Sequence, residues 1–249
     1  MQDIHPMTLV EHPHAHEAAL ADGLAQDIAR RLADAIAQRG HALLCVSGGK
    51  SPIPLFKALS GYPLDWARVT ITLVDERCVP VEHPDNNGAL VQRHLLQGPA
   101  AAATFVSWVP PTFTGGAAPA WPQAAAQYET WARELETRLR PLWPADVVVL
   151  GMGLDGHTAS LFAQAQGLDA ALSTDTATLV TPVRPPHAPH DRLTLTLPAL
   201  RQGRHVALQI SGAAKHTIYQ LARENPGTQR PVSLVLHAPQ HPVGVWIGA

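Results

Sequence analysis

Cysteine is scarce in this chain: Cys45 and Cys78 are the only two among 249 residues. Two cysteines are too few for a disulfide framework, so the sequence favours a reducing compartment and predicts a cytoplasmic protein. No apolar run approaches the roughly eighteen residues that a membrane span needs. The amino-terminal residues also have neither the basic start nor the apolar segment of a signal peptide. We therefore expect no membrane partner.

Charge is sparse as well, because only 15% of the residues are charged and the formal net charge is −2. This balance excludes the basic surface that recruits nucleic acid. Fourteen histidines are present, but they form no His-Glu-x-x-His or paired Cys/His motif, so we expect no metal. With 46% hydrophobic residues the chain can bury a sizeable core, as one large α/β domain or as two small ones. The alternation of strands and helices along the whole length favours one domain over residues 1–249, which we expect to be a monomer.

Lysine is rarer than arginine and is unusually placed. The chain has eighteen lysines and arginines together, and only Lys50, Lys57 and Lys215 are lysines. Lys50 and Lys215 fall in glycine-containing turns, SGGKSP and SGAAKH, rather than on a solvated helix face. A cation held in such a turn can neutralise a bound anion. The two turns therefore predict an anion site.

The stretch 147–162, VVVLGMGLDGHTASLF, has the strongest signal in the chain. Its apolar start predicts a strand buried on both faces of a parallel sheet, and its glycines predict a tight turn after that strand. Asp155 and His157 lie in the turn, and a histidine can move a proton near neutral pH. Thr158 and Ser160 are candidate caps for a following helix. We interpret the segment as an active site; the alternative is a strand-to-helix turn with a capping Asp and a surface His.

A second strand and turn lie at residues 42–52. The strand, residues 42–46, leads into Gly48 and Gly49, and Ser51 is a candidate N-cap before a helix. The free N–H groups of a helix start attract phosphate or carboxylate, and Lys50 would add charge. The spacing does not match a Walker A loop. The alternative is a plain strand–turn–helix connection.

Three adjacent charged residues, Asp75, Glu76 and Arg77, follow the predicted strand 69–74. Charges at the end of a buried strand are costly unless they are paired or used. An arginine at this place can stabilise developing negative charge, while the acids orient it or another catalytic group. The alternative is a structural ion-pair cluster that supports the turn.

The remaining pattern alternates helices with strands, which predicts an α/β domain of three layers. One helix is predicted at residues 17–38, closed by Gly40, and a second at residues 123–139. Two more are predicted, one after the cap residues Asp85, Asn86 and Asn87 and one after the SGAAKH turn. Further strands are predicted at residues 104–109, at 192–197 as a half-exposed strand, and at 205–210, 232–236 and 243–247.

Five segments together resemble one family, the 6-phosphogluconolactonases. They are SGGKSP, DERCVP with HPDNN, GMGLDGHTASLF, DRLTLT and SGAAKH, and the resemblance runs from about residue 24 to residue 246. It implies a Rossmann-like α/β/α sandwich with a mostly parallel sheet, shared with glucosamine-6-phosphate deaminases. It also implies hydrolysis of a small sugar-phosphate lactone, 6-phospho-D-glucono-1,5-lactone, in the pentose phosphate pathway, without a cofactor.

The resemblance also implies roles for individual residues. His157 would be the general base. Arg77 would either face the carboxylate end of the substrate or stabilise the oxyanion, and Asp155 would either orient His157 or contact sugar hydroxyls. The substrate-binding residues implied are Gly48, Gly49, Lys50, Ser51, Asp75, Arg192 and Lys215, most of them around the 6-phosphate. The chain departs from the family pattern at Lys50, where Ser or Thr is usual.

Three other functions compete with this one. A sugar-phosphate deaminase or isomerase would share the fold, but TASLF follows His157 where deaminases usually carry Asn-Glu-Pro. A sugar-phosphate sensor would normally carry a helix-turn-helix, and the first forty residues offer only one good helix. A dinucleotide-binding domain would need the G-x-G-x-x-G spacing, which GMGLDG does not have.

Overall fold

The computed structural model describes residues 9–116, 119–175, 177–237 and 242–249. These residues form ten strands and eight α-helices. The strands are Leu9–His14 (β1), Ala42–Val46 (β2), Val69–Leu73 (β3), Asp75–Arg77 (β4), Thr104–Phe105 (β5), Val147–Leu150 (β6), Val180–Val183 (β7), Arg192–Leu195 (β8), Val206–Ser211 (β9) and Val243–Gly248 (β10). The helices are Glu17–Arg39 (α1), Ile53–Ser60 (α2), Asn87–His94 (α3), Gln123–Leu139 (α4), Leu168–Leu172 (α5), Leu197–Gln202 (α6), Ala213–Glu224 (α7) and Val232–Leu236 (α8).

The central sheet has seven strands in the order β1-β10-β9-β6-β2-β3-β5, and every neighbouring pair is parallel. A smaller antiparallel sheet has the order β4-β8-β7. Helices flank the central sheet, so the chain has the three-layer α/β/α fold, and the predicted fold class is confirmed. Within the described part of the chain, no helix combines the length and apolar character that crossing a bilayer would require.

The strand order reverses direction next to β2. From β2 the chain adds β3 and then β5 on one side, and it returns to the other side with β6, β9 and β10. The loops after β2 and β6 therefore diverge at a topological switch point. In open α/β sheets such a point forms a crevice at the carboxyl ends of the strands, where ligands bind.

Helix α1 shows how the sequence pattern produces the packing. Leu24, Ile28 and Leu32 recur every four residues and are completely or almost completely buried. The helix packs against α2 and against strands β2, β6 and β10. Burying each such side chain contributes about 1.5–3 kcal/mol relative to leaving it exposed. The helix ends at Gly40, whose φ of +79° suits glycine, as predicted.

Two strand predictions were wrong: one segment is a helix, and one strand is more buried than predicted. Residues 232–236 form helix α8, because a short apolar run does not distinguish a buried strand from a buried helix. The N–H of Val232 donates to the carbonyl of Gly156, so this helix supports the turn that carries His157. Strand β8, the central strand of the small sheet, is buried at every residue rather than half-exposed, so both of its faces are covered.

Local boundaries differ at other positions. No helix follows the β6 turn directly: Thr158 Oγ1 donates to the Gly151 carbonyl and Ser160 Oγ donates to Asp75, so neither is a helix cap. Helix α2 begins after Pro52, and Ser51 makes no capping bond. Strand β5 is only two residues long, and strand β1, which the sequence did not signal, pairs with β10 at the sheet edge.

Candidate active site

A cleft at the switch point brings together nine of the ten predicted site residues. They are Gly48, Gly49, Lys50, Ser51, Asp75, Arg77, His157, Arg192 and Lys215. Asp155 does not line the cleft but contacts His157, which does. The loops after β2 and β6 are tied by Ser47, whose hydroxyl donates to the Val149 carbonyl and accepts from the N–H of Gly151. These two hydrogen bonds therefore hold together the two loops that line the cleft.

His157 and Asp155 form a hydrogen-bonded pair in the turn after β6. Nδ1 of His157 lies 2.5 Å from Oδ1 of Asp155, and the His157 backbone N–H donates to the same oxygen at 3.2 Å. The bond to His157 holds the pKa of Asp155 below its ordinary value, although partial burial opposes this. An ionised carboxylate can only accept a hydrogen bond, so this contact places a proton on Nδ1, and in the neutral imidazole Nε2 is then the nitrogen with a free lone pair. The imidazole is thus set up to accept a proton at Nε2.

The glycines and an aromatic ring fix this pair in place. A Cβ at Gly153 would overlap the side chains of both His157 and Asp155, so only glycine fits there. Gly156 has a φ of +81°, which favours glycine, and it turns the chain between the two residues. The His157 ring stacks on Phe162 with 4.1 Å between the ring centroids. These contacts restrict the orientation of the imidazole.

Arg77 lies on β4, opposite Arg192 on β8. Its Nη1 donates to the carbonyl of Asp85 at 2.6 Å, which holds the guanidinium in the cleft. Its Nε is buried and finds no hydrogen-bond partner among the described residues. A guanidinium with an unused donor suits an incoming oxygen anion.

Arg192 is almost completely buried, with 7% of its side chain exposed. Nη1 lies 3.9 Å from Oδ2 of Asp75, and the guanidinium carbon lies 5.8 Å from the centre of the Phe162 ring. Burial lowers its pKa, while Asp75 opposes that shift. Its Nε, like that of Arg77, has no partner in the described part of the chain. Asp75 also lines the cleft, and its Oδ2 accepts a hydrogen bond from the Ser160 hydroxyl at 2.6 Å.

The two turn lysines face the same cleft from different loops. Nζ of Lys215, in the first turn of α7, donates to Oγ of Ser51 at 3.3 Å. Burial lowers the pKa of Lys215, and Glu17 opposes this shift. Lys50 is exposed and lines the cleft next to Gly49, whose φ is +87°. The cleft thus carries four cationic side chains against one lining carboxylate, which favours an anionic ligand.

Glu76 has a supporting position rather than a place in the cleft lining. Its carboxylate accepts from the backbone N–H groups of Arg77, Asn87 and Gly88 at 2.7–2.8 Å. Burial raises its pKa to about 7, and the three N–H donors oppose that rise. These bonds fasten the start of α3 to β4, so Glu76 stabilises the turn through backbone hydrogen bonds.

Besides Ser47, two polar cleft residues were missed from the sequence. Asn87 Nδ2 donates to the Asp75 carbonyl, and its side chain packs so closely on Gly48 that a Cβ there would overlap it. Gln209, on β9, donates to the Ser51 carbonyl at 3.2 Å. Asn87 resembled one more helix-cap residue and Gln209 lay inside an apolar strand, so no local pattern marked either one.

The chain matches a family model described as glucosamine-6-phosphate isomerases/6-phosphogluconolactonase over residues 15–246. It belongs to this family. One relative, a protein of Pseudomonas aeruginosa named 6-phosphogluconolactonase, is 44% identical to this chain over 224 residues, which cover 89% of each chain. One of Pseudomonas putida with the same name is 40% identical over 94% of this chain and 92% of its own. The crystal structure of a 6-phosphogluconolactonase from Shewanella baltica is 36% identical, with a TM-score of 0.86 and coverage of 97% and 98%.

Proposed function

We propose that the chain hydrolyses 6-phospho-D-glucono-1,5-lactone to 6-phospho-D-gluconate, the second step of the oxidative pentose phosphate pathway. The observation that carries this proposal is the Asp155–His157 pair at a cleft that also holds four cationic side chains. A proton acceptor beside a strongly cationic pocket suits a phosphorylated ester that reacts with water. The names of the relatives, which the match covers to about nine tenths of their length, support the same substrate.

His157 acts as the general base in this proposal. Nε2 takes a proton from a water molecule while the water oxygen bonds to the lactone carbonyl carbon, which becomes a tetrahedral oxyanion. The oxyanion then collapses and the bond from C1 to the ring oxygen breaks. The ring oxygen receives the proton held at Nε2 of the imidazolium and becomes the C5 hydroxyl, which returns His157 to its neutral form. The new carboxylic acid loses its remaining proton to solvent. Asp155 stabilises the imidazolium and holds its orientation, as the carboxylate does in other His–Asp pairs.

Two negative charges remain to be stabilised, that of the oxyanion and that of the 6-phosphate, and we assign them to different residues. We assign Arg77 to the oxyanion, because it has a buried Nε without a partner and is fixed through Asp85. The residues that we assign to the 6-phosphate are Gly48, Gly49, Lys50, Ser51, Arg192 and Lys215. Asp75 positions Arg192. No redox carrier or metal is needed for the steps proposed, since only water is consumed.

The experiment that tests the function is an assay with freshly generated 6-phosphogluconolactone, corrected for spontaneous hydrolysis. Glucosamine 6-phosphate is the matched alternative substrate, because the family also includes glucosamine-6-phosphate isomerases. We expect rapid lactone hydrolysis and no release of ammonia from glucosamine 6-phosphate. Turnover of the amino sugar without lactone hydrolysis would overturn the proposal in favour of the deaminase or isomerase alternative.

Replacing Lys215 should weaken substrate binding more than chemistry. We expect Lys215→Ala to raise KM about 10- to 100-fold, because a charge-assisted hydrogen bond contributes about 1.5–3 kcal/mol. The value of kcat should change much less, since Lys215 is assigned to the phosphate rather than to the reacting carbonyl. Steady-state kinetics measures both constants. Lys57→Ala, at the exposed lysine of α2, is the control and should keep the wild-type values of kcat and KM.

We further propose that the chain works as a single-domain monomer over residues 1–249 in the cytoplasm. Exposed large apolar side chains in the described ranges are scattered singly, at Val10, Leu154 and Leu221, which supports a monomer. Cys45 and Cys78 are both free and buried, and burial raises the pKa of each thiol. Free thiols of this kind are typical of a reducing compartment.

A further inference from the structure

Three metal-ligating side chains meet outside the cleft. His83 and Asp85 lie in the loop between β4 and α3, and His190 lies in the connection between β7 and β8. Nε2 of His190 is 3.0 Å from Oδ2 of Asp85, and Nδ1 of His83 is 4.0 Å from the same oxygen. One candidate ligand atom from each of the three lies within 4.8 Å of the others. About a hundred residues separate the two segments, so no spacing motif could reveal the cluster.

We propose that His83, Asp85 and His190 form a binding site for a divalent transition-metal ion, with Zn²⁺ as the probe of choice. Two imidazole nitrogens and one carboxylate oxygen suit Zn²⁺ and its neighbours, whereas Mg²⁺ and Ca²⁺ prefer all-oxygen sets. Zinc bonds of about 2.0–2.2 Å place tetrahedral ligand atoms roughly 3.3–3.5 Å apart. The 3.0 Å and 4.0 Å separations bracket that value, so small side-chain rotations complete the site.

The hydrogen bonds of the cluster show how an ion would enter. The Asp85 backbone N–H donates to Nδ1 of His83 at 3.1 Å, so this nitrogen already holds a lone pair, as a metal ligand must. The side chains of the three residues are between 26% and 49% exposed, which leaves an open path from solvent. Binding would exchange the His83 and His190 hydrogen bonds for ligand bonds, while water fills the fourth position.

The backbone of His190 supports a role for its side chain. Its φ of +69° places a non-glycine residue in the left-handed region, which is uncommon and costs free energy. This conformation brings the imidazole to Asp85 and places it edge-on to the His83 ring, with 5.2 Å between centroids. The neighbouring hollow that His83 and His190 line is separate from the cleft that holds His157. The proposed site therefore goes beyond the lactonase function and does not depend on it.

Calorimetric titration of Zn²⁺ into the full, metal-free chain tests this proposal. We expect one ion per chain and a loss of affinity of about tenfold or more in both His190→Asn and Asp85→Asn. Asparagine tolerates the left-handed conformation at position 190, and Asp85→Asn keeps the backbone carbonyl that holds Arg77. His187→Asn is the matched control, since His187 is exposed in the same loop but lies outside the cluster, and it should bind like the wild type.

A thermal melt gives a second, independent readout. Zn²⁺ should raise the Tm of the wild type and of His187→Asn, and the shift should shrink in the two cluster variants. If His190→Asn does not fold, Asp85→Asn alone decides the question. Equal affinity in all four proteins would overturn the site, because it would assign binding to other histidines. Absence of Zn²⁺ binding by the wild type would overturn it as well.

Discussion

His157→Ala is expected to lower kcat for 6-phosphogluconolactone by about 10²- to 10⁴-fold, which is the usual contribution of a positioned general base. We assign the imidazole as the proton acceptor of the Asp155–His157 pair, and its removal leaves no other histidine among the residues that line the described cleft. KM should change little, because His157 is not among the residues assigned to the phosphate. Initial rates, corrected for spontaneous hydrolysis, give both constants.

Two companion variants separate chemistry from packing. His157→Gln fills more of the space against Phe162 than alanine does, yet it provides no comparable base, so it should lose kcat to a similar extent. His94→Ala removes an imidazole at the end of α3, outside the cleft, and should keep wild-type kinetics. Wild-type kcat in His157→Ala would refute the assignment of the base.

Most of the cleft could be predicted because its signals are local. Each turn follows a buried strand within a few residues, and each combines glycines with one or two charged residues, as in 47–52 and 151–157. The parallel sheet then brings these turns together, since the carboxyl ends of β2 and β6 lie side by side at the switch point. The two-residue spacing of Asp155 and His157 was enough to suggest a pair, and their side chains are in contact.

The missed features all depend on tertiary neighbours. Asn87 is held at the cleft by two such contacts: its N–H donates to Glu76, eleven positions away, and its Nδ2 donates to the Asp75 carbonyl. Residues 232–236 form a helix whose first N–H, that of Val232, bonds to the Gly156 carbonyl, and apolar content alone does not distinguish a helix from a strand. Strand β1 is defined by its partner β10, more than two hundred residues away. Such contacts leave no periodic trace in the sequence.

Arg77→Ala is expected to lower kcat by about 10²- to 10³-fold, which is the cost of removing one preorganised donor to an oxyanion. The guanidinium is fixed by the Asp85 carbonyl, and its Nε is buried without a described partner. A fixed donor needs no reorganisation when negative charge develops on the carbonyl oxygen. The loss should therefore fall mainly on kcat rather than on KM, as steady-state kinetics with the lactone would measure.

The same arginine also anchors the loop around Asp85, so a structural role must be separated from a catalytic one. Arg77→Lys keeps the positive charge but not the forked donor geometry, and it should recover only part of the lost kcat. Added guanidinium should restore some activity to Arg77→Ala by filling the space at the oxyanion. Arg93→Ala, at an exposed arginine of α3, should match the wild type. If Arg77→Ala instead raised KM at constant kcat, Arg77 would belong with the phosphate-binding residues, and the oxyanion donor would have to be sought elsewhere in the cleft.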